Sequence, residues 1–181
     1  MFYALISMHN SFGLNKINTK INTNEIRSFS QNELLLTALE YHKIGKISEA
    51  EYLYRFFIDK GYKHPTVFTN YAIILTDKNS HDEAKTLFLE SIKLNPDNFA
   101  TYINFANCLL KSGKYPEARN CVKTAIKLNP NSCEAHNNLG LIYLTLKQYN
   151  DAETSLLKAV YLNTTFAEAH LSGLLTGRPD D

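Results

Sequence analysis

The sequence predicts an all-α protein, an α-solenoid in which helix–turn–helix units are repeated along the chain. Two observations predict this fold class. The same residue types recur every 34 residues without a gap, most clearly in the column Ala50, Ala84, Ala118 and Ala152. Within each recurrence, apolar residues fall at i, i+3, i+4 and i+7, which is the spacing of one face of a helix. A fixed period of this length is typical of repeat architectures.

The register of the repeat is set by several columns that agree. An acidic residue precedes each repeated alanine, at Glu49, Glu83, Glu117 and Asp151. Turn and start signals divide each recurrence into two helical stretches. The register therefore predicts four helix pairs within residues 30–166, in the units 31–64, 65–98, 99–132 and 133–166.

Local signals predict where the helices begin and end. Ser30 followed by Glu33 predicts a capping box at the start of the first helix. Signals for the second helices are Gly45 and then Ser48 with Glu51, Gly113 and then Pro116 at a first helical position, and Asn150 with Glu153. The second helices of the two middle units should stop at Leu94-Asn-Pro96 and Leu128-Asn-Pro130, because proline cannot continue a helix.

The stretch 133–162, which begins Cys-Glu-Ala-His-Asn-Asn-Leu-Gly, resembles the tetratricopeptide-repeat (TPR) family, as do the period and the closing Leu-Asn-Pro. The resemblance covers 31–166. It implies a right-handed solenoid in which small residues let the helices pack closely, and a role in binding other proteins. The first unit departs from the family pattern, because Phe57 replaces a small residue and Tyr62 stands where proline is usual.

In TPR arrays, positions 2, 5, 6, 9, 12 and 13 of each first helix line a concave groove. One column of this groove, position 6, consists of amides. Its members are Asn70, Asn104 and Asn138. An amide carries two donors and an acceptor, so it can pair with the backbone of an extended peptide of any sequence. The column resembles the asparagine ladder of O-GlcNAc transferase-like and other bacterial-type TPR arrays, which implies peptide binding. Simple duplication of the repeat is the alternative explanation of the column.

Six neighbours of that column complete the predicted partner-binding set. They are Thr69, Ile73, Ile103, Asn107, Asn137 and Leu141. The set is uncharged, and the first unit adds an apolar contribution from Leu35, Leu36 and Leu39. TPR domains that hold a C-terminal carboxylate place lysine or arginine in this stripe. The residues here therefore argue against that class of partner.

Composition argues against other partners and against chemistry. A formal net charge of +1 offers no concentrated basic patch for nucleic acid or for an anionic membrane. Cys108, Cys121 and Cys133 lack zinc-site spacing and suit a reducing compartment. His136 and His170 occupy the large packing position of the first helix, so packing explains them. We expect a cytoplasmic protein that is not an enzyme and has no cofactor, metal or catalytic residue.

The two ends leave alternatives open. Residues 1–29 are rich in Asn, Lys, Ser and Thr and are predicted to be a flexible leader. Residues 167–181 are predicted to form a capping helix or a partial fifth unit followed by a tail. An open apolar end there would instead allow weak self-association. The leading hypothesis is a non-catalytic interaction scaffold. The alternatives are a substrate-targeting part of a larger or multi-subunit glycosyl- or sulfotransferase, and a self-associating structural module.

Overall fold

The computed structural model describes residues 26–162, which divide into two compact units with the boundary in the chain between Lys63 and His64. The first unit contains α1 (Gln31–Lys43) and α2 (Ile47–Asp59). The second unit contains α3 (Pro65–Asp77), α4 (His81–Leu94), α5 (Phe99–Lys111), α6 (Tyr115–Leu128), α7 (Cys133–Thr145) and α8 (Tyr149–Leu162). Most of the predicted leader, the predicted capping region 167–181 and His170 lie outside the described residues.

The helices form consecutive pairs, here called repeats 1 to 4, with α1–α2 as repeat 1 and α7–α8 as repeat 4. The first helices begin at residues 31, 65, 99 and 133, at a constant spacing of 34. The second helices of repeats 2 and 3 end at Leu94 and Leu128, as the following Asn-Pro predicts. The predicted all-α fold of paired helices is therefore confirmed for the residues that the structure describes.

The turn inside each repeat is a Schellman motif, in which a residue with positive φ ends the first helix. That residue is Gly45, Asn79, Gly113 or Lys147, with φ between 57° and 79°. The next amide donates to a carbonyl five residues back, as in the 2.9 Å bond from Lys46 N to Tyr41 O. This motif satisfies carbonyl groups at the end of the first helix and turns the chain back within three residues.

The starts of two second helices differ from the prediction. Helix α2 begins at Ile47, before Ser48, and α8 begins at Tyr149, before Asn150. The second helix begins immediately after the Schellman turn, so Ser48 and Asn150 lie within the helices rather than at their caps. For the same reason α6 begins at Tyr115, and Pro116 is its second residue.

The first helix has the predicted capping box. The Ser30 amide donates to Oε2 of Glu33 across 2.8 Å, and the Glu33 amide donates to Oγ of Ser30 across 3.3 Å. Two amides that lack a partner inside the helix are satisfied in this way. In the same unit Phe57 is fully buried, and the Tyr62 ring packs edge-on against it with centroids 5.3 Å apart. The aromatic pair occupies the place where the family pattern has a small residue and a proline.

Close helix packing in the second unit depends on its smallest residues. Ala72, Ala84, Ala106 and Ala118 are completely buried in one core cluster. A Cβ added to Gly140 would lie 2.5 Å from Cγ of Leu156, well inside van der Waals contact. Helices α7 and α8 therefore approach more closely than an alanine at this position would permit.

A buried cluster of hydroxyl groups joins repeat 2 to repeat 3. Oγ1 of Thr69 lies 2.7 Å from Oγ of Ser91 and 3.3 Å from Oγ1 of Thr101. Oγ of Ser91 donates to the carbonyl of Pro65 across 2.9 Å. Ser91 and Thr101 are almost fully buried, so these bonds satisfy polar groups that water cannot reach.

Candidate functional site

The first helices of repeats 2 to 4 lie side by side and form one face of the second unit. Helix α3 contacts α5, and α5 contacts α7. Four positions on each helix, separated by four, three and four residues, lie along this surface, as one helix stripe requires. We call the surface the first-helix face. It consists of Thr66, Asn70, Ile73 and Asp77 on α3, Ala100, Asn104, Asn107 and Lys111 on α5, and Glu134, Asn138, Leu141 and Thr145 on α7.

The nine predicted binding residues divide into two groups in the structure. Thr69, Asn70, Ile73, Asn104 and Asn107 are half-buried, and Leu141 is 36% exposed. The other three lie inside: Ile103 is 2%, Asn137 6% and Asn138 8% exposed.

The fifth position is half-buried in repeat 2 and buried in repeats 3 and 4, which narrows the accessible stripe. Thr69 occupies this position in repeat 2, and its hydroxyl bonds Ser91 on the second helix of the same repeat. Ile103 and Asn137 occupy the equivalent positions in repeats 3 and 4. The twelfth position also turns inward in repeat 2, where Thr76 is buried and donates to the carbonyl of Ala72.

The three asparagines of the column have different environments. Nδ2 of Asn138 donates to Oδ1 of Asn107 on the neighbouring helix across 3.0 Å. The position equivalent to Asn107 next to Asn104 is Ile73, which offers no acceptor. The Asn104 side chain has no hydrogen-bond partner among residues 26–162, whereas Asn70 has an interaction partner.

The bond between Asn107 and Asn138 was not predicted from the sequence. A signal for it does exist. Asparagine occupies the ninth position of one repeat and the sixth position of the next only at the junction of α5 with α7 among repeats 2 to 4. Recognising that signal requires knowing that these two positions face each other across neighbouring helices.

Charges lie at the margins of the first-helix face, while its two central rows are uncharged. The rows are Asn70, Asn104 and Asn138, and Ile73, Asn107 and Leu141. At one margin, Nζ of Lys111 bonds Oδ1 of Asp77 across 2.7 Å, so these two charges offset each other. At the other margin Glu134 is exposed. The centre therefore offers amide groups between two apolar side chains.

Burial shifts the pKa of two thiols in the described part of the chain. Burial raises the pKa of the Cys121 thiol to about 11, and it also raises the pKa of Cys133. Both thiols are therefore protonated at neutral pH and are weak nucleophiles. His136 donates from Nε2 to the carbonyl of Pro130 across 3.0 Å. Within residues 26–162, no group of three His, Cys, Asp or Glu side chains could hold a metal ion.

None of the helices within residues 26–162 combines the length and the apolar character that a bilayer crossing requires.

Family models match the second unit almost throughout. A model described as TPR repeat matches residues 106–147, and one described as tetratricopeptide repeat matches 87–120. Another tetratricopeptide-repeat model matches 65–98 and 134–166. Residues 65–166 are tetratricopeptide repeats. The TPR solenoid is thus the fold of the second unit, and α3, α5 and α7 are the first helices of its repeats. No curated protein matches the chain.

Solved TPR structures are similar to this chain in fold. The crystal structure of YrrB, described as a TPR protein with an unusual peptide-binding site, has a TM-score of 0.72 at 18% identity. The match covers 80% of this chain and 75% of YrrB. A crystal form of MamA AMB-1 has a TM-score of 0.71 at 19% identity, covering 91% and 95% of the two chains. At these identities the similarity shows a shared TPR fold and does not transfer a binding site.

Proposed function

We propose that this chain is a non-catalytic protein-interaction scaffold that binds an extended peptide or partner on the first-helix face. The observation that carries the proposal is the uncharged centre of that face. Amides and apolar side chains lie next to each other there, and the opposite charges of Asp77 and Lys111 at one margin are paired. This combination suits a polypeptide, which presents both backbone polar groups and apolar side chains.

The energetics require both kinds of contact. A neutral hydrogen bond contributes about 1 kcal/mol net, and association costs several times that amount in lost freedom. The amides alone therefore cannot hold a ligand. Ile73 and Leu141 must bury apolar side chains of the partner, while Asn104 and Asn107 fix the position of its backbone. Asn104 then acts like one asparagine of the ladder in peptide-binding TPR arrays.

The fold similarity to YrrB supports this assignment, because YrrB is described as having a peptide-binding site on the same kind of repeat. The absence of a catalytic role is also part of the proposal. It is supported by the protonated state of Cys121 and Cys133 at neutral pH. All three cysteines are free thiols, which favours a reducing compartment such as the cytoplasm.

The test compares two double variants in a cross-linked pull-down from lysate. Ile73→Glu with Leu141→Glu places charges at the centre of the first-helix face. Leu89→Glu with Leu157→Glu is the matched control, because these leucines are 42% and 53% exposed on the second helices α4 and α8. We expect the first variant to lose a partner that the wild type and the control retain. Equal recovery by both variants of verified helicity would contradict the proposal.

A further inference from the structure

We propose that the first-helix face selects a peptide segment with two apolar side chains six residues apart and uncharged residues between them. This inference rests on the proposed function and specifies its ligand. The three residues of one central row carry it: Ile73 on α3, Asn107 on α5 and Leu141 on α7. An amide lies between two apolar contacts on that row.

The distance between the apolar contacts follows from helix packing. Packed helices lie about 8–10 Å apart. Helix α3 packs against α5, and α5 packs against α7. Ile73 and Leu141 are two such steps apart, which places them about 16–20 Å from each other.

Six residues of extended chain match this distance in either conformation that a bound peptide adopts. A β-strand rises about 3.3 Å per residue and repeats its facing every two residues, so six residues span about 20 Å on one side. A polyproline II helix rises about 3.1 Å with three residues per turn, so six residues span about 19 Å on one side. Separations of five or seven residues place the second side chain on another side in both conformations.

The polar centre explains why the intervening residues should be uncharged. Asn107 uses its carbonyl oxygen to accept from Asn138, which leaves its NH₂ group to donate. Asn104, one turn away on α5, has no partner among the described residues. Together they supply donors and an acceptor to a peptide backbone. Neither central row supplies a charge to compensate a buried ionic side chain, which would lose its hydration.

The experiment uses labelled peptides of alanine, serine and glutamine that carry two leucines separated by four to eight positions. Fluorescence anisotropy with the full chain measures their dissociation constants. We expect the peptide with six-residue separation to bind most tightly. We also expect aspartate or lysine substituted at its middle position to weaken binding by about tenfold, because an unpaired charge is desolvated.

Variants test which side chains contribute to binding the peptide. Asn104→Ala should weaken binding of the six-residue peptide about fivefold, the effect of one neutral hydrogen bond. Leu141→Glu should abolish binding, while Leu157→Glu on α8 should leave it unchanged. Equal affinity at every separation, or an unchanged constant for Asn104→Ala, would overturn the inference. So would the absence of binding by any of these peptides.

The outcomes separate this inference from the proposed function. If the pull-down partner depends on Ile73 and Leu141 but the peptides show no preferred separation, the six-residue rule fails and the binding face stands. If recovery of the pull-down partner does not depend on those two residues, both proposals fail.

Discussion

The side-chain amide of Asn138 donates to the side-chain carbonyl of Asn107 across 3.0 Å and thereby links α7 to α5. Asn138 is only 8% exposed and Asn107 is half-buried, so this bond is partly shielded from water. One member of the asparagine column thus holds two repeats together, whereas Asn104 keeps its amide unpaired within the described chain. The same residue type at the same repeat position has two different roles.

The first prediction separates these roles through stability. Asn138→Ala removes the donor and leaves the Asn107 carbonyl without its partner, which should lower the free energy of unfolding by about 1–2 kcal/mol. Asn104→Ala is the matched control, because it removes no hydrogen bond among the described residues and should change stability by less than about 0.5 kcal/mol. Urea denaturation followed by circular dichroism measures both. Equal losses in the two variants would show that the bond to Asn107 does not stabilise the fold.

The second prediction concerns the contact between Gly140 and Leu156. In a helix, alanine is favoured over glycine by about 1 kcal/mol. A Cβ at residue 140 would lie 2.5 Å from Cγ of Leu156, however, and overpacking costs about 1–3 kcal/mol. We expect Gly140→Ala to destabilise the wild type but to stabilise the Leu156→Ala variant. A double-mutant cycle in urea measures the change of sign, and the same sign in both backgrounds would contradict the contact.

The third prediction uses the turn between α7 and α8. Lys147 has φ of 57°, a left-handed conformation that disfavours residues with a Cβ. Lys147→Gly should raise the free energy of unfolding by about 0.5–1 kcal/mol, since the relief of strain exceeds the entropy that glycine adds to the unfolded chain. Lys123→Gly, within α6, is the control and should destabilise by about 1 kcal/mol. Thermal unfolding measures both, and a lower melting temperature for Lys147→Gly would refute the prediction.

The fourth prediction concerns pH and the first unit. His42 lies 3.2 Å from the buried Tyr54 hydroxyl through Nδ1, and burial lowers its pKa from the ordinary value of 6.5. The unfolded chain therefore binds more protons as the pH falls through 6.5, so stability should decrease from there downward. His42→Asn should reduce the decrease of the urea midpoint between pH 7.5 and pH 5.5. Burial also lowers the pKa of His64, so a residual slope of the same sign should remain.

Patterns local to the chain predicted most of the fold. The recurrence of Ala84 and Ala118 marks helix pairs, because only small residues permit close approach of the helices. The proline after Leu94 marks a helix end, and Ser30 with Glu33 marks a start, since both effects act within a few residues. The starts at Ser48 and Asn150 were predicted wrongly, because a Schellman turn already ends the preceding helix and needs no side-chain cap.

The detail of the first-helix face could not be predicted in the same way. Whether the fifth position of a repeat is accessible depends on how the second helix packs against it, as the contact between Thr69 and Ser91 shows. The bond between Asn107 and Asn138 depends on the rotation and rise from one repeat to the next. A period in the sequence predicts that repeats exist, but it does not predict the rotation and rise that relate one repeat to the next.

The buried hydroxyl cluster has a consequence for the order in which repeats of the same fold can follow one another along the chain. The positions equivalent to Thr69, Ser91 and Thr101 at the next junction are Ile103, Ala125 and Ala135, and all three are buried. If repeat 3 were placed after a copy of itself, Thr101 would face Ile103 and Ala125, and its hydroxyl would be unsatisfied. Repeats 2 and 3 are therefore not interchangeable. Duplication or reordering of repeats during evolution would lower stability unless all three hydroxyl residues of the junction were transferred together.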